Sequence, residues 1–63
     1  MYYVLVDSHG ASLDTFTERE PALRAWHALI QDDATAADEV ALLRCDDAGE
    51  ALERISVDAA LAA

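Results

Sequence analysis

One pattern occurs twice in this chain and constrains its fold more than any other feature. VLVDSHGASLDTFT at residues 4–17 aligns without gaps with LRCDDAGEALERIS at residues 43–56, an offset of 39. Each copy reads as an apolar strand, a D-x-x-G turn, a second strand, a large apolar residue and a hydroxyl. Asp7 and Asp46 open the turns, because a carboxylate there bonds the amides that follow it. Gly10 and Gly49 occupy the fourth position, where glycine takes a positive φ without steric cost. Leu13 matches Leu52, Asp14 matches Glu53, Phe16 matches Ile55 and Thr17 matches Ser56. Three of the fourteen positions are identical, so turn chemistry alone accounts for the likeness as well as duplication does. Either origin implies two β-hairpins.

The remaining segments fit between and after the hairpins. Tyr2 to Val6 is β-branched and aromatic, a strand, and Ala11 to Phe16 returns beside it. Asp14 and Thr15 make the return strand polar, as suits an edge. Val40 to Cys45 is apolar on both faces and reads as an interior strand. Glu50 to Ile55 is the fourth strand, although Leu52, Ile55 and Ala59 also fit a helical stripe. Ala22, Ala25, Trp26, Leu29 and Ile30 recur at i, i+3, i+4, i+7 and i+8, which predicts a helix over residues 18–31. Thr17-Glu18-Arg19-Glu20 has the form of a capping box. Pro21 removes an early backbone bond in that frame, so a start nearer Pro21 is the alternative. Asp32-Asp33 ends the stripe, Thr35 to Asp38 suits one further turn, and Ser56 caps a short helix over Val57 to Leu61. The fold class is α+β: a four-stranded sheet from two hairpins, in the order ββαββ with a short C-terminal helix, and one main helix on one face.

The chain reads as a single small domain, 1–63. Fourteen of its apolar residues are alanine, which leaves 20 larger ones to build a core. Domains this small usually need a disulfide, a metal or a partner. Cys45 is the only cysteine and cannot form an internal disulfide. Self-association is therefore expected. The expected core is Val4, Val6, Phe16, Ala22, Ala25, Trp26, Leu29, Ile30, Leu43 and Ile55. One helix covers only one face of the sheet, so Tyr3, Leu5, Val40 and Leu42 are expected on the other, as the interface of a homodimer.

Charge narrows the partners. There are 13 acidic residues, four arginines and no lysine, for a net charge of −9. A basic surface for direct nucleic-acid binding is excluded. No apolar run approaches the ~20 residues of a membrane span, and the start lacks the basic and apolar segments of a leader. A cytoplasmic protein is the expectation. The acidity is uneven: residues 1–31 carry a net −2 and residues 32–63 a net −7. Asp32, Asp33, Asp38, Glu39, Asp46, Asp47 and Glu50 make an acidic arc suited to a basic protein partner, against the plainer reading of a solvated face.

Little else carries chemistry. Asp7-Ser8-His9 has the ingredients of a nucleophilic triad, but neighbours in a tight turn do not set a base between nucleophile and acid. His27 lies off the apolar stripe. Neither H-x-x-x-H nor C-x-x-C spacing occurs, which argues against zinc. Asp46-Asp47-Ala48-Gly49-Glu50 lacks the alternating oxygen ligands of a calcium loop. Cys45 beside Arg44 reads as a small buried hydrophobe. No catalytic residue, cofactor or metal is expected. Two function classes stand: a non-enzymatic acidic interaction or regulatory module acting as a homo-oligomer, and a minimal enzyme or small-ligand binder with its site at a dimer interface. Convergence of Cys45, His9 and His27 in a cleft would favour the second.

The stretch DTFTEREPALRAWHALIQDDATAADEVALLRCDDAGE resembles small uncharacterised proteins of high-GC, actinobacterial-type bacteria. Phe16, Thr17, Glu20, Leu42, Leu43, Asp46 and Gly49 carry the resemblance, which covers about half the chain and departs from the pattern at Pro21. It implies no particular activity.

Overall fold

Both hairpins form, and they join along their first strands. In the computed structural model, which describes residues 1–62, β1 (Tyr2–Val6) and β2 (Ser12–Phe16) precede α1 (Arg19–Asp32) and α2 (Ala36–Glu39). Strands β3 (Ala41–Cys45) and β4 (Ala51–Ile55) and helix α3 (Val57–Leu61) follow. The sheet order is β2-β1-β3-β4, antiparallel throughout.

The repeat is a structural one. Shifting the bounds of β1 and β2 by 39 residues gives those of β3 and β4. Asp7 Oδ1 accepts the amides of His9 and Ala11, each at 2.9 Å. Asp46 Oδ1 accepts those of Ala48 and Glu50, also at 2.9 Å. Gly10 and Gly49 have φ of 82° and 85°. Each hairpin also carries one irregularity in register, between Leu5 and Val6 in the first and between Arg44 and Cys45 in the second. The inserted residues are Leu13 and Leu52, again counterparts. At the β1–β3 seam Val4 pairs with Leu43, its own counterpart, so an approximate two-fold axis passes through that pair, normal to the sheet.

The symmetry ends at the helices, because the first copy feeds a 14-residue helix and the second a five-residue one. Helix α1 begins at Arg19 with Glu18 at its cap position and no capping side chain, so the capping box expected at Thr17 is absent. Pro21 explains the shift. Capped at Thr17, the helix would need the Pro21 amide for its first bond. Starting at Arg19, Pro21 sits in the first turn, where no amide partner is needed. The helix ends where the Asp33 amide donates to Leu29 O at 2.9 Å. Asp33 Oδ1 then takes the Thr35 amide at 3.1 Å and its hydroxyl at 2.8 Å, which turns the chain into α2. Ser56 Oγ accepts the Asp58 amide at 3.2 Å and caps α3.

All three helices lie on one face of the sheet. Ala22, Leu23 and Trp26 of α1, Ala36 of α2 and Ala60 of α3 form one buried cluster with Leu5, Val40, Leu42 and Ile55, and Tyr3 and Phe16 pack against it. Leu42 is fully buried. Trp26 Nε1 donates to Ala36 O at 3.4 Å. His27 Nδ1 lies 2.7 Å from Ala60 O; a carbonyl only accepts, so the ring proton is on Nδ1 and ties α1 to α3.

The faces are the reverse of those expected from the strand pattern. Tyr3, Leu5, Val40 and Leu42, read from sequence as an exposed dimer patch, are the strand contribution to the helix-covered core. Val4, Val6 and Leu43, read as core, point to the uncovered side. Leu23, off the expected stripe, is buried. The inserted residues are the cause. An unbulged hairpin closed by the Asp7–Ala11 turn would set Phe16 opposite Tyr2. One extra residue sets it opposite Tyr3 instead, and a shift of one residue exchanges the two faces of a strand.

Candidate interaction surface

The uncovered face takes alternate residues of all four strands: Tyr2, Val4 and Val6 from β1, Ala41, Leu43 and Cys45 from β3, Ser12 and Thr15 from β2, Ala51 and Arg54 from β4. Pleat alternation from Asp14 and Glu53, which sit on the helix side, adds Leu13 and Leu52. Leu13 is 51% exposed and Leu52 48%. Val4 and Cys45 are buried by their neighbours even without a covering layer. Tyr2, Val6, Leu13, Leu43 and Leu52 therefore make the accessible apolar surface. Among the described residues, Arg54 is the one charged residue on this face and no acidic residue lies on it, although the chain has 13.

The acids lie on the helices, the turns and the helix side of the outer strands. Asp32, Asp33, Asp38 and Glu39 surround the α1–α2 connection, just before β3. Asp46, Asp47 and Glu50 occupy the turn after it. Five residues of strand at ~3.3 Å each separate the two groups by roughly 16 Å, so the acidic arc is two clusters at opposite ends of β3. Asp7 joins the first cluster's end, because Val6 pairs with Ala41. The Thr35 hydroxyl and amide hold the Asp33 carboxyl below its ordinary value of 3.8. The N-terminal ammonium, 2.8 Å away, lowers that of Asp47. The amides of Ala11 and His9 lower that of Asp7.

Where the short α3 leaves the helix side open, polar residues replace apolar ones. Arg44 is the counterpart of Leu5 and stands on the same face. Its Nε donates to Glu53 Oε1 at 3.0 Å and its Nη1 approaches Met1 Sδ at 3.0 Å.

Groups with catalytic potential are kept apart. His9 is exposed in the first turn, Cys45 is buried on the uncovered face at the other end of the sheet, and His27 is under α3. Gln31 Nε2 lies 3.2 Å from His27 Nε2, which uses the remaining ring nitrogen. Two grooves occupy counterpart positions at the sheet ends. One, of about 370 Å³, is lined by Tyr2, Thr15, Phe16 and Thr17. The other, of about 280 Å³, is lined by Trp26, Ala37, Arg54, Ile55, Ser56 and Val57. Neither brings together an acid and a base. Among the described residues no three His, Cys, Asp or Glu side chains are grouped to hold a metal ion, and no helix is long and apolar enough to cross a membrane.

No family model, curated protein or solved structure matches the chain.

The patch expected from the strand pattern, Tyr3, Leu5, Val40 and Leu42, is thus not accessible. The large apolar side chains that stay half-exposed on the uncovered face, Leu13 and Leu52, occupy the same place in both copies of the repeat.

Proposed function

We propose that the protein is a non-enzymatic interaction module of the cytoplasm that acts as a homo-oligomer and offers its acidic surface to a basic protein. The observation that carries this reading is the segregation of charge: 13 acids on the helices, turns and helix side of the sheet, none on the uncovered face. Solubility alone is served by acids placed anywhere on the surface. Glu20 and Asp58 stand in first turns, where the helix dipole favours an anion, but Asp32 is placed against it. Helix C-termini favour cations, yet α1 ends in Asp32 and no helix has a basic residue in its last turn. A lone buried thiol suits a reducing compartment.

The test is capture of a basic protein partner followed by a salt titration of the complex. Affinity that falls as salt rises supports the reading. Charge reversal at Asp32, Asp33, Asp38 and Glu39 in one variant, and at Asp46, Asp47 and Glu50 in another, tells which cluster the partner meets. A complex indifferent to salt and to both variants refutes it.

A further inference from the structure

We infer, independently of the homo-oligomer reading, that the α1–α2 connection is a hinge latched by Asp33, and that with the latch removed the chain exchanges its second half, α2 through α3, with a second copy.

The corner has no helix breaker. Between Ala22 and Glu39 there is neither glycine nor proline, and six of these 18 residues are alanine, so the whole segment suits one helix. Thr35 already has a helical φ and ψ of −66° and −19°. The amides of Ala36, Ala37 and Asp38 donate to the carbonyls of Asp33, Ala34 and Thr35 at 3.0, 3.2 and 3.0 Å, a tight helical series. Asp33 departs from it, at φ −144° and ψ 107°. Its carboxylate holds that departure by taking the amide and the hydroxyl of Thr35. Straightened, the segment regains i→i−4 bonds through the corner. Ala36 and Ala37 then stand four residues after Asp32 and Asp33, so no like-charged pair opposes the straight form.

What opposes it is the core. Ala36 is buried and its carbonyl accepts Trp26 Nε1 at 3.4 Å. Ten residues of straight helix set Trp26 and Ala36 about 15 Å apart along the axis, beyond the reach of an indole. A straight chain therefore cannot make that bond with itself. A second copy can restore it, together with the β1–β3 seam and the His27–Ala60 bond, which also join the two halves. Exchange of this kind rebuilds the closed interfaces between chains and alters only the hinge. The hinge here is residues 33–35, and a short connection is the form that invites exchange. One carboxylate thus decides whether the halves pair within a chain or between chains.

The experiment refolds the full chain as wild type, Asp33→Ala and Asp33→Asn from urea at low and high concentration. Sedimentation equilibrium gives the mass. Isotope-filtered NOEs, in samples refolded from mixed labelled and unlabelled chains, tell whether Trp26 meets Ala36 of its own chain or of another. Asparagine keeps the acceptor, so wild type and Asp33→Asn are expected to make the contact within one chain. Loss of a capping acceptor shifts a helix end by about fivefold. Two hinges open in each exchanged pair, so Asp33→Ala is expected to raise exchange by about 25-fold. Its exchanged form should have twice 6.8 kDa, a Trp26–Ala36 contact between chains, and an α-carbon shift at position 33 moved from extended to helical. If Asp33→Ala does not fold, Thr35→Val, which loses the hydroxyl and keeps the amide, carries the same reading with a smaller rise. Asp33→Ala with the contact within one chain at every concentration, or with position 33 still extended, overturns the inference. So does equal exchange in all three proteins, or loss of folding in both Asp33→Ala and Thr35→Val, which makes Asp33 a support of the fold rather than its latch.

Discussion

Leu42→Ala tests the assignment of the two sheet faces. Leu42 is fully buried beneath the helices and pairs with Leu5 on one side and Ile55 on the other. Truncating a buried leucine loses its transfer free energy and leaves a cavity, together about 3–4 kcal/mol. At ~0.05–0.15 kcal/mol per residue, a chain of this length has roughly 3–9 kcal/mol in total. The substitution should remove about a third of the stability or more. Leu43, its neighbour on the uncovered face, is only partly buried in a single copy and has no layer above it, so Leu43→Ala should cost about 1 kcal/mol there. Urea melts read by Trp26 fluorescence measure both, since this single tryptophan is buried at the α1–α2 contact. They are run at several protein concentrations and extrapolated to the dilute limit, to remove any contribution from association. At a slope of ~1 kcal/mol/M the Leu42→Ala midpoint should fall by about 3 M. A cost for Leu43→Ala equal to or above that for Leu42→Ala at the dilute limit would refute the face assignment and the bulged register behind it.

Gly10→Ala and Gly49→Ala should each cost about 1–2 kcal/mol, by the same melts and to a matching degree. Both residues hold a positive φ, and a Cβ meets nothing at Gly10 and only the Tyr2 hydroxyl at an ordinary 3.4 Å at Gly49; unequal costs would count against equivalent turns. Asp32→Arg should stabilise the chain by ~0.5 kcal/mol, because it removes an anion from the C-terminal end of α1; a lower thermal midpoint would contradict this. Asp7 and Asp33 have carboxyls held below 3.8. Their contribution is fully present above that pH and is lost as pH falls through their lowered native values. Acid unfolding should therefore set in below pH 3.8, and Asp7→Asn/Asp33→Asn should flatten that limb of the curve. An unchanged limb would remove both residues from the acid transition.

Local chemistry was legible in the sequence, and the direction of the sheet was not. The D-x-x-G turns, the Ser56 cap and the bounds of α3 follow from hydrogen-bonding rules that act within a few residues. The hairpins and their 39-residue offset follow from the same rules applied twice. Which side of β1 and β3 the helices cover is a different question, because both strands are apolar on both faces and their alternation carries no sign. The sign comes from the edge strands, where Phe16 and Ile55 lead straight into helices and must face them. Passing it to the inner strands requires the register, and Leu13 and Leu52 each shift that by one residue. The candidate surface was misplaced for this reason alone. The dimer patch drawn from Tyr3, Leu5, Val40 and Leu42 is the core, and the surface lies on the residues between them. The acidic clusters were legible as charge, but their separation by the length of β3 needed the strand to be placed.

The seam between β1 and β3 also sets the order in which the chain can fold. Each hairpin closes over a local turn, an event on the order of microseconds, but a two-stranded hairpin is marginal in water. The seam joins residues 39 apart in sequence, across the whole α1–α2 segment, and the closure entropy of that loop must be met before the core exists. The rate-limiting encounter is therefore expected to be hairpin with hairpin at Val4 and Leu43, with α3 docking afterwards. In stopped-flow chevrons, Val4→Ala should slow folding, whereas Ala60→Gly within α3 should mainly speed unfolding. The reverse pattern would place α3 in the nucleus and the seam after it.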